Sequence, residues 1–283
     1  MNGLIIASVL GKVKTISKLV TVIPSKFPYV PEVGDVIIGR ILSVEKKLWR
    51  VNLNAQREGI LNLTAINLPQ GEQRIRNEED QMSMRIYFKE NDLLSGEIQQ
   101  ITQNGNIHIQ TRNLKYGKLK NGILVKVNHS LIKKKKHQFI DIVFNIKIIL
   151  ALNGYCWIYY STVKIEDEYF TDDKNKIDII NKEEKIDEKS CILIILIRNI
   201  IKNIDEAEIE IKKETIVRYY ELFIELYRKN VNFDDKDSMK KLQKIDEKEN
   251  INIINLIKNE IKNNKIKEET INISKEKNKM VLE

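Results

Sequence analysis

From Gly34 to Leu119, apolar and polar positions alternate in short runs at the two-residue period of half-buried strands. Val36 to Val44 reads as a long strand with Gly39 where a closing sheet must bend. Leu48 to Leu53 sets Trp49, Val51 and Leu53 on one face and Arg50 and Asn52 on the other. Gly59 to Leu63 follows as a third strand. Pro69-Gln70-Gly71 then marks a turn, and Glu72 to Arg85, polar and helical in character, reads as an insertion at one end. Leu93 to Ile101 and Ile107 to Gln110 flank Gln103-Asn104-Gly105, and Asn-Gly between two alternating runs is a strong hairpin signal. Five strands with one helical interruption predict an OB-type barrel, whose interior its own side chains fill. Such a domain offers a surface rather than a cavity.

Residues 1–30 hold two β-rich pieces, Leu4 to Val9 and Leu19 to Ile23, joined through Gly11, which predict a hairpin of a further small sheet; Pro24, Pro28 and Pro31 mark a linker. Beyond Asn121-Gly122 a new unit begins, with strands predicted at Ile123 to Val127, Val143 to Leu150 and Tyr155 to Tyr160 around a basic loop, Lys133 to Lys136. Two amphipathic helices, Ser190 to Asn203 and Lys213 to Arg228, close it, after a charged insertion at 164–189. The expected fold class is α+β, mostly β in the N-terminal half. Its parts are a partial N-terminal β hairpin domain (1–30), an OB-type (S1) five-stranded barrel (31–113), a KH-like α/β domain (114–228) and a low-complexity tail (229–283) rich in Lys, Asn, Ile and Glu.

Charge adds direction to this picture. Residues 1–160 carry 23 Lys and Arg against 12 Asp and Glu, while the remainder carries 25 against 28. From Ile98 to Ile140 there are nine Lys and Arg and no acidic residue, which predicts polyphosphate contact or a solvated basic face. Cys156 and Cys191 lack a Cys-x-x-Cys spacing and predict a reducing compartment. The first ten residues lack the pattern of a signal peptide, and the apolar run Cys191 to Ile197 is short of the roughly 20 residues a bilayer span needs.

Candidate chemistry is that of binding. No Gly-x-x-x-x-Gly-Lys-Ser/Thr loop occurs, and His108, His129 and His137 have no partner at zinc-ligand spacing, so neither a catalytic residue, a metal nor a cofactor is expected. Lys46, Lys47, Trp49 and Arg50 place an aromatic among cations on the strands where OB barrels meet single strands, with Trp49 either exposed for stacking or turned inward with Val51 and Leu53. Arg57, Arg112, Lys115, Lys118 and the cluster Lys133, Lys134, Lys135 and Lys136 are candidate phosphate contacts; Tyr116 either stacks on a base or packs between domains. Ala151-Leu152-Asn153-Gly154 occupies the place of a KH Gly-x-x-Gly loop with alanine at the first position, which favours a structural turn over RNA contact.

Pro31-Glu32-Val33-Gly34-Asp35-Val36 with Gly39-Arg40, Trp49 to Ala55, Asn67-Leu68-Pro69, Met84-Arg85, Leu114 to Leu119, and Asn153-Gly154-Tyr155 to Tyr159 together resemble, in order, the ribosomal RNA-processing protein four family of cap subunits of the eukaryotic RNA exosome. The resemblance covers residues 4–160 and, more loosely, the helices to Arg228. It implies a non-catalytic subunit with S1 and KH domains that sits with other cap subunits on a ring of RNase PH-like subunits. It also implies guidance of RNA 3′ ends toward a separate hydrolytic subunit, in nucleus, nucleolus and cytoplasm, with no membrane or small-molecule partner. An assembly protein with negligible RNA affinity and a free-standing OB-fold RNA-binding protein are the alternatives. The family's N-terminal proline-glycine-aspartate motif is missing, which implies a chain that begins partway through that domain.

Overall fold

The computed structural model describes residues 10–24, 27–66, 77–113, 115–142, 145–161 and 187–230. Its centre is a closed barrel of β3 (Val36–Val44), β4 (Leu48–Asn52), β5 (Gly59–Ile66), β6 (Leu93–Ile101) and β7 (Ile107–Thr111). Strand order is β3-β4-β5-β7-β6, and β3 pairs with β6 to close the ring; every pairing is antiparallel except β5 with β7. The alternation read from sequence fills the interior with Ile37, Ile41, Trp49, Val51, Leu53, Leu61, Leu63, Leu94, Ile98, Ile107 and Ile109. At Gly39 the inward Val51 side chain of β4 packs directly on the β3 backbone, so a Cβ there would collide with it.

The insertion forms two short helices, α1 (Glu78–Met82) and α2 (Met84–Tyr87), which plug one end through Met84 and Phe88. Buried Asp80 anchors them, accepting from the Asn77 backbone N–H at 3.0 Å and the Tyr87 hydroxyl at 3.2 Å. The turn expected at Pro69-Gln70-Gly71 and the start of the insertion lie outside the described residues.

The hairpin ahead of the barrel is β1 (Gly11–Ile16) paired with β2 (Leu19–Pro24), the second of which matches the expected Leu19 to Ile23. The two-residue loop Ser17-Lys18, with Ser17 at φ +55°, makes the turn, so Gly11 opens a strand rather than joining two. Leu4 to Val9 lies outside the described residues. Val13, Ile16, Leu19, Val20 and Val22 are all exposed on this hairpin.

After β8 (Gly117–Lys118), which pairs with β6, the KH-like unit comprises β9 (Gly122–Lys126), a 3-10 turn at His129–Leu131, β10 (Phe139–Asp141), β11 (Ile146–Leu150), β12 (Tyr155–Tyr160), α3 (Glu188–Glu206) and α4 (Lys213–Asn230). Its antiparallel sheet runs β10-β11-β12-β9. Strand β10 had no counterpart in the sequence reading, and Val143 and Phe144, expected in β11, lie outside the described residues. One face of the sheet, with Val125, Ile146, Ile148, Leu150 and Ile158, shares a core with Ile197, Ile200, Ile204, Ile216, Tyr219 and Phe223 of the helices. A second cluster joins Ile149, Trp157 and Phe139 of this sheet to Ile38 of the barrel and to Tyr116. The sheet is therefore a middle layer between its own helices and the barrel.

Candidate nucleic-acid interface

The joint between barrel and sheet settles where the KH-type loop lies. Residues 151–154 are all buried, and Asn153 is fully enclosed. Its amide nitrogen donates to the carbonyls of Ile38 at 2.6 Å and Leu53 at 2.8 Å, and its carbonyl accepts from the Ile38 N–H at 3.4 Å. The Leu152 N–H donates to the Val36 carbonyl at 3.0 Å, and the Asn54 side chain donates to the Asn153 carbonyl at 3.0 Å. Gly154 turns at φ +82°, where any Cβ would press on the Val127 carbonyl. Leu152 and Asn153 thus satisfy barrel backbone groups, Ala151 and Gly154 bond within the KH-like unit to Tyr155 and Val127, and all four residues are buried.

Most of the expected phosphate contacts are engaged elsewhere. Lys133 pairs with Glu210 at 2.9 Å, Lys134 with Asp35 at 2.7 Å, and Lys135 with Glu214 at 3.9 Å; Lys136 is exposed. Burial raises the Glu210 carboxyl, but hydrogen bonds from Lys133 and Lys212 outweigh it and hold the group below the ordinary carboxylate range. Asp35, whose side chain is 5% exposed, also accepts from the Tyr29 hydroxyl at 2.7 Å and the Glu32 N–H at 3.1 Å. Burial, and then Asp35, push the Tyr29 phenol well above its usual value. The lysine loop is a strap across three elements.

Two stacking expectations are corrected. Trp49 is fully buried, edge-on to Phe88 at 5.5 Å between centroids, with its indole N–H donating to the Phe88 carbonyl at 3.1 Å. The inward alternative holds because an indole N–H inside a barrel needs an acceptor and Phe88 brings one. Tyr116 is buried against Phe139, its hydroxyl donating to Glu97 at 3.3 Å, with the Lys115 ammonium 4.8 Å over its ring. Lys118 pairs with Asp92 at 2.5 Å.

What stays open is the outer face of β4, β5 and β7. Arg50 points outward, paired with Glu45 at 2.5 Å and Glu58 at 3.6 Å. Lys46 and Lys47 are exposed at the adjoining turn. Arg57 donates to the Asn104 carbonyl, which ties the loop before β5 to the β6–β7 turn, and Arg112 reaches the Thr64 carbonyl at 3.4 Å. The strand register aligns Arg50, Ile60, His108 and Gln100 in one row across β4, β5, β7 and β6. Asn62 lies beside it, its amide nitrogen 3.5 Å from His108 Nδ1. Ile60, Asn62 and Gln110 are not singled out by sequence, and His108 is weighed there as a metal ligand rather than an RNA contact, although alternation with buried Leu61, Ile107 and Ile109 fixes their direction.

The S1 domain of RRP4 matches residues 28–100, which take in the barrel through most of β6, and a KH domain matches residues 122–164. An exosome complex component rrp4 from Schizosaccharomyces pombe is 36% identical over 226 residues, 78% of this chain and 68% of that one. The chain belongs to the Rrp4 family. An exosome complex component RRP4 from Bos taurus is 42% identical over 58% of this chain and 56% of its own length. A homologue from Arabidopsis thaliana is 36% identical over 68% of this chain and 60% of its own. This chain therefore spans between about half and two thirds of these relatives; the S1 match takes in β4 and β5 of the open barrel face, and the KH match takes in residues 151–154 of the buried joint.

Proposed function

We propose that this chain is a non-catalytic, RNA-binding cap subunit of an exosome complex, which seats on RNase PH-like ring subunits beside other cap subunits and guides RNA 3′ ends to a nuclease carried by another chain. The reading draws on the names of its relatives and includes their implied setting, nucleus, nucleolus and cytoplasm. The observation that carries it is the outward β4–β5–β7 face, with Arg50, Ile60, Asn62, His108 and Arg112 on the side of an OB barrel that meets single strands. Ring docking is supported by the hairpin β1–β2, whose apolar side chains are uncovered and which, as a two-stranded sheet, needs a neighbour to be stable. Its three lysines, Lys12, Lys14 and Lys18, come with no acidic residue from Gly11 to Pro24, which suits an acidic neighbour.

A second reading, a scaffold with negligible RNA affinity, is favoured by the internal pairing of Lys118, Lys133, Lys134 and Lys135. Two measurements on the full chain decide. Affinity purification tests the assembly: co-purifying ring subunits are expected, and their absence overturns the cap reading. Oligonucleotide binding separates guide from scaffold: an affinity that falls with salt supports the guide, and none at low salt supports the scaffold.

A further inference from the structure

The row across the barrel face has an unusual electrical make-up. Adjacent strands lie about 4.8 Å apart, so Arg50, Ile60, His108 and Gln100 span roughly 14 Å, room for two or three stacked bases. The permanent cation of the row, Arg50, is already matched by Glu45 and Glu58. Ile60 and Gln100 are neutral. His108 stands between them, half-exposed, with the neutral Asn62 amide nitrogen 3.5 Å from its Nδ1; a protonated ring donates from both nitrogens, so the amide must then turn its oxygen to the ring.

We infer that His108 is a proton-dependent RNA contact: its imidazolium adds the uncompensated positive charge that lets this row hold a phosphate. The inference rests on the RNA-binding reading above. The surroundings of the ring define what else bears on it. From β4 comes Arg50, with Glu45 of the β3–β4 turn and Glu58 of the loop before β5, and β5 offers Ile60, Asn62 and Thr64. From β6 come Gln99 and Gln100, with Glu97 one level away opposite Gln110 and accepting from Tyr116. Arg57 is turned onto Asn104, Arg112 reaches Thr64, and Lys46 and Lys47 lie at the β3–β4 turn. Imidazole is the side-chain type whose charge ordinarily changes between about pH 5 and 8. A polyanion favours the protonated ring, so affinity rises as pH falls and, by linkage, bound RNA holds the proton more tightly.

The test is the affinity of the full chain for a uridine oligomer of about 12 nucleotides, whose bases do not titrate in this window, at about pH 5.5 and 8 over a salt series. The wild-type chain is expected to bind roughly three to ten times more tightly at the lower pH, with a salt slope steeper by about 0.7, the increment of one single-strand phosphate contact. His108→Gln should bind at both pH values as wild type does at the higher one, and His108→Lys should bind at both as wild type does at the lower. His129→Gln and His137→Gln should keep the wild-type difference, and circular dichroism establishes that each variant is folded. Binding without a pH difference, or a difference that survives His108→Gln, overturns the inference and leaves RNA binding intact. No binding under any condition overturns the RNA-binding reading itself and the inference with it.

Discussion

Trp49 shows how one side chain divides a binding role from a folding role. Its ring is sealed in the barrel and its N–H is spent on Phe88, so Trp49→Phe should keep the shape and lose one buried hydrogen bond, a cost of about 1–2 kcal/mol in urea unfolding. RNA affinity should stay at the wild-type level; a loss of affinity without a loss of stability would restore the stacking role. The alternation of Trp49, Val51 and Leu53 already held this answer, since three inward positions on a period of two share one face. His129 offers a second test. It packs edge-on against Phe27 and Tyr29 with its Nε2 buried and unpaired, and burial holds its pKa below the ordinary imidazole value. The unfolded chain then takes up the proton first, so this contribution to stability is full above about pH 6.5 and is lost as pH falls below it. The melting temperature should drop on acidification through that point, and the drop should be smaller in His129→Gln; an equal drop in both excludes His129 as the source.

At the scale of elements, strands with period-two patterns and two long amphipathic helices were legible because each announces itself within its own residues. Strand β10 was not: three residues carry too short a pattern, and pairing with Ile148 and Ile149 holds it in place. The lysine loop misled for a related reason. Four consecutive cations read as a phosphate site, while their acidic partners lie as far away in sequence as Asp35 and Glu210. Lys133 is itself exposed and shares half-buried Glu210 with Lys212, and Lys135 forms an exposed pair, so replacing either with alanine should change stability by less than about 1 kcal/mol. Lys134→Ala leaves a buried carboxylate without its cation and should cost more, about 1–3 kcal/mol. Replacing all three should leave the salt slope of RNA binding unchanged. A slope reduced by about 0.7 for each lysine would return them to the interface.

For the whole molecule, the decisive feature is that the KH-type loop is consumed by the joint between the two domains; alanine in place of glycine already favours a structural turn there, but its partners lie too far away in sequence to be read. Asn153 satisfies backbone groups of β3 and of Leu53 from 115 and 100 positions away. Asn153→Ala strands those groups inside the joint, so barrel and KH-like unit, which should unfold together in the wild-type chain, should separate into two calorimetric transitions. A single unshifted transition would mean that the joint contributes nothing. With the loop consumed and three of the four loop lysines paired, the outer barrel face is the surface proposed for RNA among the described residues. Photocrosslinking of a 4-thiouridine oligomer to the full chain, with the adducts mapped by peptide mass spectrometry, tests this most directly. Adducts should fall on β4, β5 and β7, around Ile60, Asn62, His108 and Gln110; adducts concentrated on 133–136 or 151–154 would contradict the account.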